Sequence, residues 1–340
     1  DQSRLAVVGL GPAGLDRLRP AELQLLMDPA RAVLLRTIQH PAASELAARR
    51  PVVVCDDLYD TEGAFEQVYV AIAERVVRTA DAGPPVFAGP GSAVVGERAV
   101  AAVLERAAAA AVDVEVRPGE SFLDLAFVRA GIDPIRDGVQ VLDGRALPDP
   151  LSLHLPTLIT QVDSPLVAGD VAVTLGRLLP DEVIVTVLDR LGDADERVVM
   201  TPLMDLSRID PGPRTTLFLE PATVGWHGLV TTNRVLRVEC PWDRAQTHHS
   251  LLRHLIEETY ETVEAVSALP ESSPVGPVDF GAYALLEEEL GDLLLQVVFH
   301  AGMAAEAGAF DVDEVAEQIR RKLVRRHPHV FGDIEVSGAG

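Results

Sequence analysis

The pattern of the sequence changes at about Pro221, and this change constrains the fold more than any other feature. Before it, short β-branched runs alternate with alanine-rich helical stretches, which is typical of an α/β domain with mostly parallel strands. Strands are predicted at Leu5–Gly9, Val52–Cys55, Val86–Ala88, Val112–Val116, Leu158–Thr160, Val183–Val187 and Thr216–Leu219. Helices between them are predicted at Ala21–Met27, Ala64–Ala80 and Val94–Ala111.

After Pro221 the chain shows long helical patterns and no convincing strand. Apolar residues recur at helical spacing from Thr247 to Ala268, from Gly281 to Ala305 and from Val312 to Arg325. Asp311 precedes the third pattern as a predicted N-cap. The sequence therefore predicts two domains, an α/β domain over residues 1–221 and an all-α helical bundle over residues 222–340.

Charge and composition exclude several classes of protein. A net charge of −23 argues against a nonspecific nucleic-acid binder, because such a protein needs basic residues to neutralise phosphates. No apolar run approaches the roughly 20 residues of a membrane-spanning helix. The two cysteines are far apart and form no disulfide framework, so we expect a cytoplasmic protein.

Two carboxylate pairs stand out in the helical part of the chain. The segment IEETYE contains Glu258 and Glu261, and EEELGD contains Glu289 and Asp292. Residues three apart share a helix face, so two such pairs on antiparallel helices can face one another. Magnesium prefers oxygen ligands of this kind and completes its shell with water and phosphate oxygens. The alternative is a solvated acidic face, but the second pair interrupts a very apolar helix, where uncompensated like charges are costly.

A basic segment, RRKLVRRHPHVF, follows on the third predicted helix. Lys322 is the only lysine of the chain, and Arg326 lies four residues later on the same helix face. The pair is suited to binding phosphate groups. The alternative is a basic helix end that interacts with its own dipole.

Four segments in this region, CPWDRAQTHHSL, IEETYE, EEELGDLLLQVVFHA and KLVRRHPHVFGD, together resemble the MazG family of all-α nucleoside triphosphate pyrophosphohydrolases. The similarity covers Gly228–Asp333. It implies conversion of a nucleoside triphosphate to the monophosphate and pyrophosphate by a homodimer or higher homo-oligomer. It also implies Mg²⁺ binding and phosphate contacts by a set of catalytic residues, namely Glu257, Glu258, Glu261, Glu289, Asp292, Lys322 and Arg326, of which Glu258, Glu261, Glu289 and Asp292 hold the metal.

The first domain contains two glycine-rich turns that each follow a predicted strand, in LAVVGLGPAG and FAGPGSAVVGE. Backbone N–H groups in such turns can approach a ligand closely. With VRPGESFLDLAFVRAGIDP, these segments resemble the tetrapyrrole (corrin/porphyrin) methylase family over Arg4–Pro221. The resemblance implies S-adenosylmethionine as a cofactor, near Gly9, Gly11, Gly14, Gly89, Gly91 and Ser121.

The combined interpretation is a two-domain enzyme that hydrolyses nucleoside triphosphates with Mg²⁺. The sequence identifies no general base for methyl transfer. Two other functions stay open: an S-adenosylmethionine-dependent methyltransferase with an accessory helical domain, and a scaffold that senses nucleotides without cleaving them.

Overall fold

The computed structural model describes residues 4–61 and 65–332. The chain folds into two compact units, Asp1–Pro221 and Ala222–Gly340. Both sheets belong to the first unit, and the described residues of the second unit form only helices, turns and loops. The predicted fold class, an α/β domain followed by a helical one, is confirmed.

Five strands of the first unit form a wholly parallel sheet in the order β3-β2-β4-β1-β5. Their bounds are β1 Leu5–Gly9, β2 Val33–Leu35, β3 Val53–Val54, β4 Val86–Gly89 and β5 Val114–Arg117. The central strand β1 packs on both faces, with Leu5 and Val7 in one apolar cluster and Ala6 and Val8 in another. A strand covered on both faces has a continuous apolar sequence, so its bounds match the prediction.

The other five strands form a second sheet in the order β6-β7-β10-β8-β9. Their bounds are β6 Gln140–Asp143, β7 Thr157–Thr160, β8 Ile184–Asp189, β9 Arg197–Pro202 and β10 Thr215–Leu219. Only β6 and β7 pair in parallel, and the other three pairs are antiparallel. The expectation of mostly parallel strands therefore holds for the first sheet and for five of eight pairs overall, but is wrong for the second sheet. The loop between β8 and β9 is too short for the crossover that parallel neighbours need.

In the described residues of the first unit, 4–61 and 65–221, seven α-helices connect the strands. They are α1 Pro20–Met27, α2 Pro41–Arg49, α3 Asp57–Thr61, α4 Phe65–Ala80, α5 Arg98–Ala109, α6 Phe122–Ala130 and α7 Pro165–Leu175, with short 3₁₀ helices at Leu15–Arg17 and Leu203–Arg208. The three predicted helices correspond to α1, α4 and α5. The predicted first residue of α4, Ala64, lies outside the described residues.

Six helices are found in the described residues of the second unit, 222–332. Their bounds are α8 Gly225–Glu239, α9 Pro241–Ala245, α10 Leu252–Ala268, α11 Phe280–Glu306, α12 Val312–Arg326 and α13 Pro328–Phe331. Asp311 caps α12 as predicted, in a capping box with Glu314. The prediction that α10 begins at Thr247 is wrong. Thr247 and Ser250 hydrogen-bond through their hydroxyls to one another's backbone N–H groups, which favours a turn over a helix.

Across residues 4–61 and 65–332, no helix is both long enough and apolar enough to cross a membrane.

Candidate active site

The pairing of α10 with α11 positions the predicted carboxylates. Leu251, just before α10, packs against Phe299 and Met303 near the end of α11. Farther along α10, the Thr262 hydroxyl donates a hydrogen bond of 3.3 Å to the carbonyl of Glu289 in the first half of α11. The two helices are therefore antiparallel, as expected for facing carboxylate pairs.

Three carboxylates from the two helices converge. Glu258 of α10 and Glu289 and Asp292 of α11 each offer an oxygen, and these oxygens all lie within 4.8 Å of one another. Glu258 and Glu289 are half-buried, and Asp292 is exposed. An all-oxygen, all-anionic donor set of this size fits a hard divalent cation such as Mg²⁺, which uses a few carboxylates and keeps water in its remaining positions.

The electrostatics of the cluster agree with this fit. Burial raises the pKa of Glu258, and the neighbouring carboxylates of Asp292 and Glu261 raise it further. Burial and the Glu261 carboxylate likewise raise the pKa of Glu289. Among residues 4–61 and 65–332, no ion pair joins Glu258, Glu289 or Asp292 to a basic side chain, so a bound cation would relieve the repulsion between them.

Two further predicted residues of α10 lie beside this cluster. The Glu261 carboxylate lies close enough to Glu258 to raise its pKa, but Glu261 is not one of the three residues whose oxygens converge within 4.8 Å. Glu257 points to His254, with Oε2 3.7 Å from the Nδ1 of that ring. Glu261 is therefore an immediate neighbour of the cluster, and Glu257 is more peripheral.

The predicted phosphate ligands Lys322 and Arg326 are exposed on α12. The adjacent residues Arg320 and Arg321 instead form ion pairs with Glu317 on their own helix. Within the described part of the chain, no ion pair or hydrogen bond joins Lys322 or Arg326 to Glu258, Glu289 or Asp292. The structure therefore leaves these two cations available for a ligand and does not bring them into contact with the carboxylates.

The two glycine-rich turns of the first unit meet at the carboxyl edge of the parallel sheet. Gly11 and Gly91 exchange backbone hydrogen bonds of 3.0 and 2.9 Å, so their N–H groups are already used. Both have positive φ angles, +77° and +64°, and no described atom lies within 4 Å of where a Cβ would be. A ligand could therefore approach the Cα faces of these glycines, but not their N–H groups.

The remaining predicted cofactor residues lie around this point and have internal contacts. A Cβ on Gly9 would lie 2.0 Å from the Pro118 carbonyl oxygen, so close chain packing requires glycine there. The spaces beside Gly14 and Gly89 are occupied by carboxylates, those of Glu45 and Glu97 among them. Ser121 caps α6 by accepting a 3.1 Å hydrogen bond from the Leu123 N–H. The structure thus pairs Gly9 with Gly89 and Gly11 with Gly91, while Gly14 faces side chains and the Ser121 hydroxyl already has a structural role.

Sequence reasoning gave no role to Arg36 and His40, which follow β2. Both have buried polar nitrogen atoms without hydrogen-bond partners among the described residues. No local sequence signal could have identified them, because burial and missing partners depend on the tertiary structure.

Comparison with known proteins agrees with both resemblances. Residues 4–207 match the family model of tetrapyrrole (corrin/porphyrin) methylases, and residues 246–331 match that of the MazG nucleotide pyrophosphohydrolase domain. YabN of Bacillus subtilis (strain 168) is 35% identical over 344 residues, which cover 98% of this chain and 68% of that protein.

Two further relatives match the helical unit alone. The nucleoside triphosphate pyrophosphohydrolase/pyrophosphatase MazG of Thermotoga maritima is 50% identical over 94 residues, 28% of this chain and 32% of that protein. The nucleoside triphosphate pyrophosphohydrolase of Escherichia coli (strain K12) is 46% identical over 94 residues, 28% of this chain and 31% of that protein. The chain thus matches about a third of the length of each of these two enzymes. Together with the match to YabN over almost the whole chain, these findings show that the protein belongs to the family in which a tetrapyrrole methylase domain precedes a MazG domain.

Proposed function

We propose that the helical unit hydrolyses nucleoside triphosphates to the monophosphate and pyrophosphate, using Mg²⁺ held by Glu258, Glu289 and Asp292. The observation that carries the proposal is the convergence of these three carboxylates within 4.8 Å. Membership of the family and the names of the MazG relatives supply the reaction type. We include Glu261 as a fourth ligand because it lies against Glu258.

In this proposal each group of the chain has a separate task. Glu258, Glu261, Glu289 and Asp292 hold the metal, and Glu257 adds negative charge beside them. Bound Mg²⁺ would neutralise phosphate charge and lower the pKa of a water molecule. Lys322 and Arg326 bind phosphate oxygens, the first as an ammonium point charge and the second as a planar fork. Attack of water on the α-phosphorus breaks the bond to the β-phosphate and releases pyrophosphate.

The surface of the helical unit supports self-association as a homodimer or higher homo-oligomer. One stripe of α10 exposes Leu252, Ile256, Tyr260 and Val263, at spacings of four, four and three residues. The sequence predicts a longer apolar stripe, which also includes Leu251 and Leu255. Of these two, Leu251 is buried, at 1% exposure, and Leu255 is half-buried. Burying one such side chain contributes about 1.5–3 kcal/mol, so a stripe of this length is typical of a surface that a partner covers.

A second candidate function concerns the first unit. We propose that it binds S-adenosylmethionine over the open Cα faces of Gly11 and Gly91, with Gly9, Gly14, Gly89 and Ser121 shaping the site. The support is the match of residues 4–207 to the methylase family and the open space beside the two glycines. Methyl transfer by this unit would require an acceptor that the family name alone does not define.

The test of the main proposal is a panel of ribo- and deoxyribonucleoside triphosphates incubated with the full chain and Mg²⁺. Pyrophosphate and the monophosphate should appear in equal amounts. Release of orthophosphate alone, or of no product across the panel, would refute the proposed reaction. Tight binding of nucleotide and Mg²⁺ without cleavage would favour the scaffold function instead.

A further inference from the structure

Two residues just after β2 have buried polar atoms that lack hydrogen-bond partners. They are Arg36, through its Nε, and His40, through both ring nitrogens, with no acceptor or donor in bonding geometry among residues 4–61 and 65–332. His40 is only 4% exposed. Native structures rarely leave buried polar groups unpaired, so three such atoms on two residues four apart need an explanation.

The surroundings of His40 are strongly charged. Its ring lies near Arg214 and Asp193, which form an ion pair with each other, and near Arg36. The Gly11 backbone is close enough to raise the pKa of the ring, but this contact does not meet the geometry of a hydrogen bond. Burial, followed by the charge of Arg214, lowers the pKa of His40 to about 4. The imidazole is therefore neutral near pH 7 and has one N–H donor and one acceptor nitrogen.

Arg36 has two neighbouring partners, but its Nε is a buried donor that neither of them satisfies. Its Nε lies 3.3 Å from the Glu97 carboxylate as an ion pair, but in an orientation that is not a hydrogen bond. Its Nη1 donates to the Tyr59 hydroxyl at 3.3 Å. The Nε–H therefore remains a buried donor without an aligned acceptor.

Both residues lie where ligands bind in open α/β sheets, beyond the carboxyl ends of parallel strands. The backbone N–H of Arg36 donates to the Ala88 carbonyl of β4, which places Arg36 directly beside the strand that ends at Gly89. His40 lies near the carbonyl of Gly11, whose Cα face is open. The unpaired nitrogens therefore border the two glycine-rich turns.

We propose that Arg36 and His40 form a carboxylate-binding subsite of the first unit. A carboxylate has two oxygens that can accept from Arg36 Nε–H and from a His40 N–H together, in bonds strengthened by charge. The same negative charge would favour protonation of the second ring nitrogen, so binding would take up protons. The subsite rests on the proposed binding of a cofactor or acceptor by the methylase-like unit.

The carboxylate can come from the amino-acid end of the cofactor or from a methyl acceptor. Calorimetric titration of the full chain separates these sources with three probes: S-adenosylhomocysteine, 5′-methylthioadenosine, which lacks the amino-acid carboxylate, and uroporphyrin III, a tetrapyrrole rich in carboxylates. We compare wild type with His40→Gln and Arg36→Gln. His154→Gln is the control, because His154 is an exposed histidine of the same unit that contacts Ser152.

If the cofactor supplies the carboxylate, both variants should bind S-adenosylhomocysteine about tenfold or more weakly, with 5′-methylthioadenosine unaffected. If the acceptor supplies it, the same loss should appear with uroporphyrin III alone. In either case wild type should take up protons on binding, measured in buffers of different ionisation enthalpy, and His40→Gln should not.

Unchanged affinities for all three probes in both variants, with unchanged proton uptake, would overturn the subsite. Absence of binding of both adenosine ligands to wild type would instead refute the proposed cofactor, and the uroporphyrin III titration would then decide the subsite alone. If uroporphyrin III also fails to bind wild type, the subsite is overturned as well. Circular dichroism spectra show whether each variant is folded. If one is not, His40→Asn replaces His40→Gln, and Arg36→Lys, which also lacks the Nε–H donor, replaces Arg36→Gln.

Discussion

Replacing Glu258 by Gln should change the stability of the helical unit in opposite directions with and without Mg²⁺. In the absence of metal, the substitution removes one of three negative charges that lie within 4.8 Å. Two unit charges at that distance repel by about 1 kcal/mol in a water-like dielectric and about 3.5 kcal/mol at an effective dielectric of about 20. Because Asp292 is exposed to water, we expect the loss of the Glu258–Asp292 repulsion to stabilise the metal-free unit by a free energy near the lower of these two values.

In the presence of Mg²⁺ the Glu258→Gln variant should instead be less stable than wild type. Wild type gains stability from metal binding, because the ion binds the folded carboxylate cluster and not the unfolded chain. The Gln variant loses an anionic ligand and most of that gain. Its turnover should fall at least about a hundredfold, since even the loss of groups that only support metal ligands costs 10–100-fold.

The assay is thermal unfolding followed by circular dichroism, in EDTA and in excess Mg²⁺, together with pyrophosphate release. Glu271→Gln is the matched control, because Glu271 is an exposed carboxylate of the same unit outside the cluster. The Glu258→Gln variant should have a higher melting temperature than wild type in EDTA and a lower one in Mg²⁺. The same order in both conditions, or full turnover of the variant, would refute the assignment of Glu258 to a metal site.

Three further predictions concern the phosphate ligands, the apolar stripe and pH. Lys322→Met should raise the Michaelis constant for triphosphates with an unchanged helical spectrum, and unaltered kinetics would remove Lys322 from the site. Tyr260→Asp places a charge on an apolar stripe residue that is 68% exposed, so light scattering should show a smaller assembly than wild type; equal masses would exclude this stripe as the interface. Burial and neighbouring carboxylates raise the pKa of Glu258 and Glu289, so the metal-free protein is stabilised by their protonation at low pH and loses that contribution as pH rises through the raised values. The gain in melting temperature from Mg²⁺ should therefore grow with pH, and a gain independent of pH would contradict the shared site.

Sequence patterns predicted the elements that are long or continuously apolar. The second predicted bundle helix, Gly281–Ala305, corresponds to α11 at Phe280–Glu306, because its apolar residues persist over many turns. The strands β2 and β6 were missed. The strand β2 is apolar but has only three residues, and β6 has only two apolar residues, between Gln140 and Asp143. The strand β9 was missed because its residues 197–200 are exposed and show no alternation. Antiparallel pairing in the second sheet depends on connections that a pattern of strands and helices does not specify.

The sequence likewise predicted some parts of the candidate site and missed others. Spacing along one helix predicted that Glu289 and Asp292 share a face, and antiparallel pairing brings Glu258 to them. The same spacing did not show that Glu261 lies outside the group of three, since this depends on the contact between α10 and α11. His40 is an ordinary histidine in sequence, and only the surrounding fold removes it from water and from partners.

The exposed position of Lys322 on α12 has a practical consequence for labelling chemistry. It is the only lysine of the chain, so the protein carries a single side-chain amine, and that amine is accessible to solvent. A reagent that acylates amines would therefore modify one side-chain position, and a protease that cuts after lysine would cleave the chain once. Occupancy of the phosphate region by a ligand could thus be followed as protection of one chemically unique atom, Nζ of Lys322, without introducing a foreign probe.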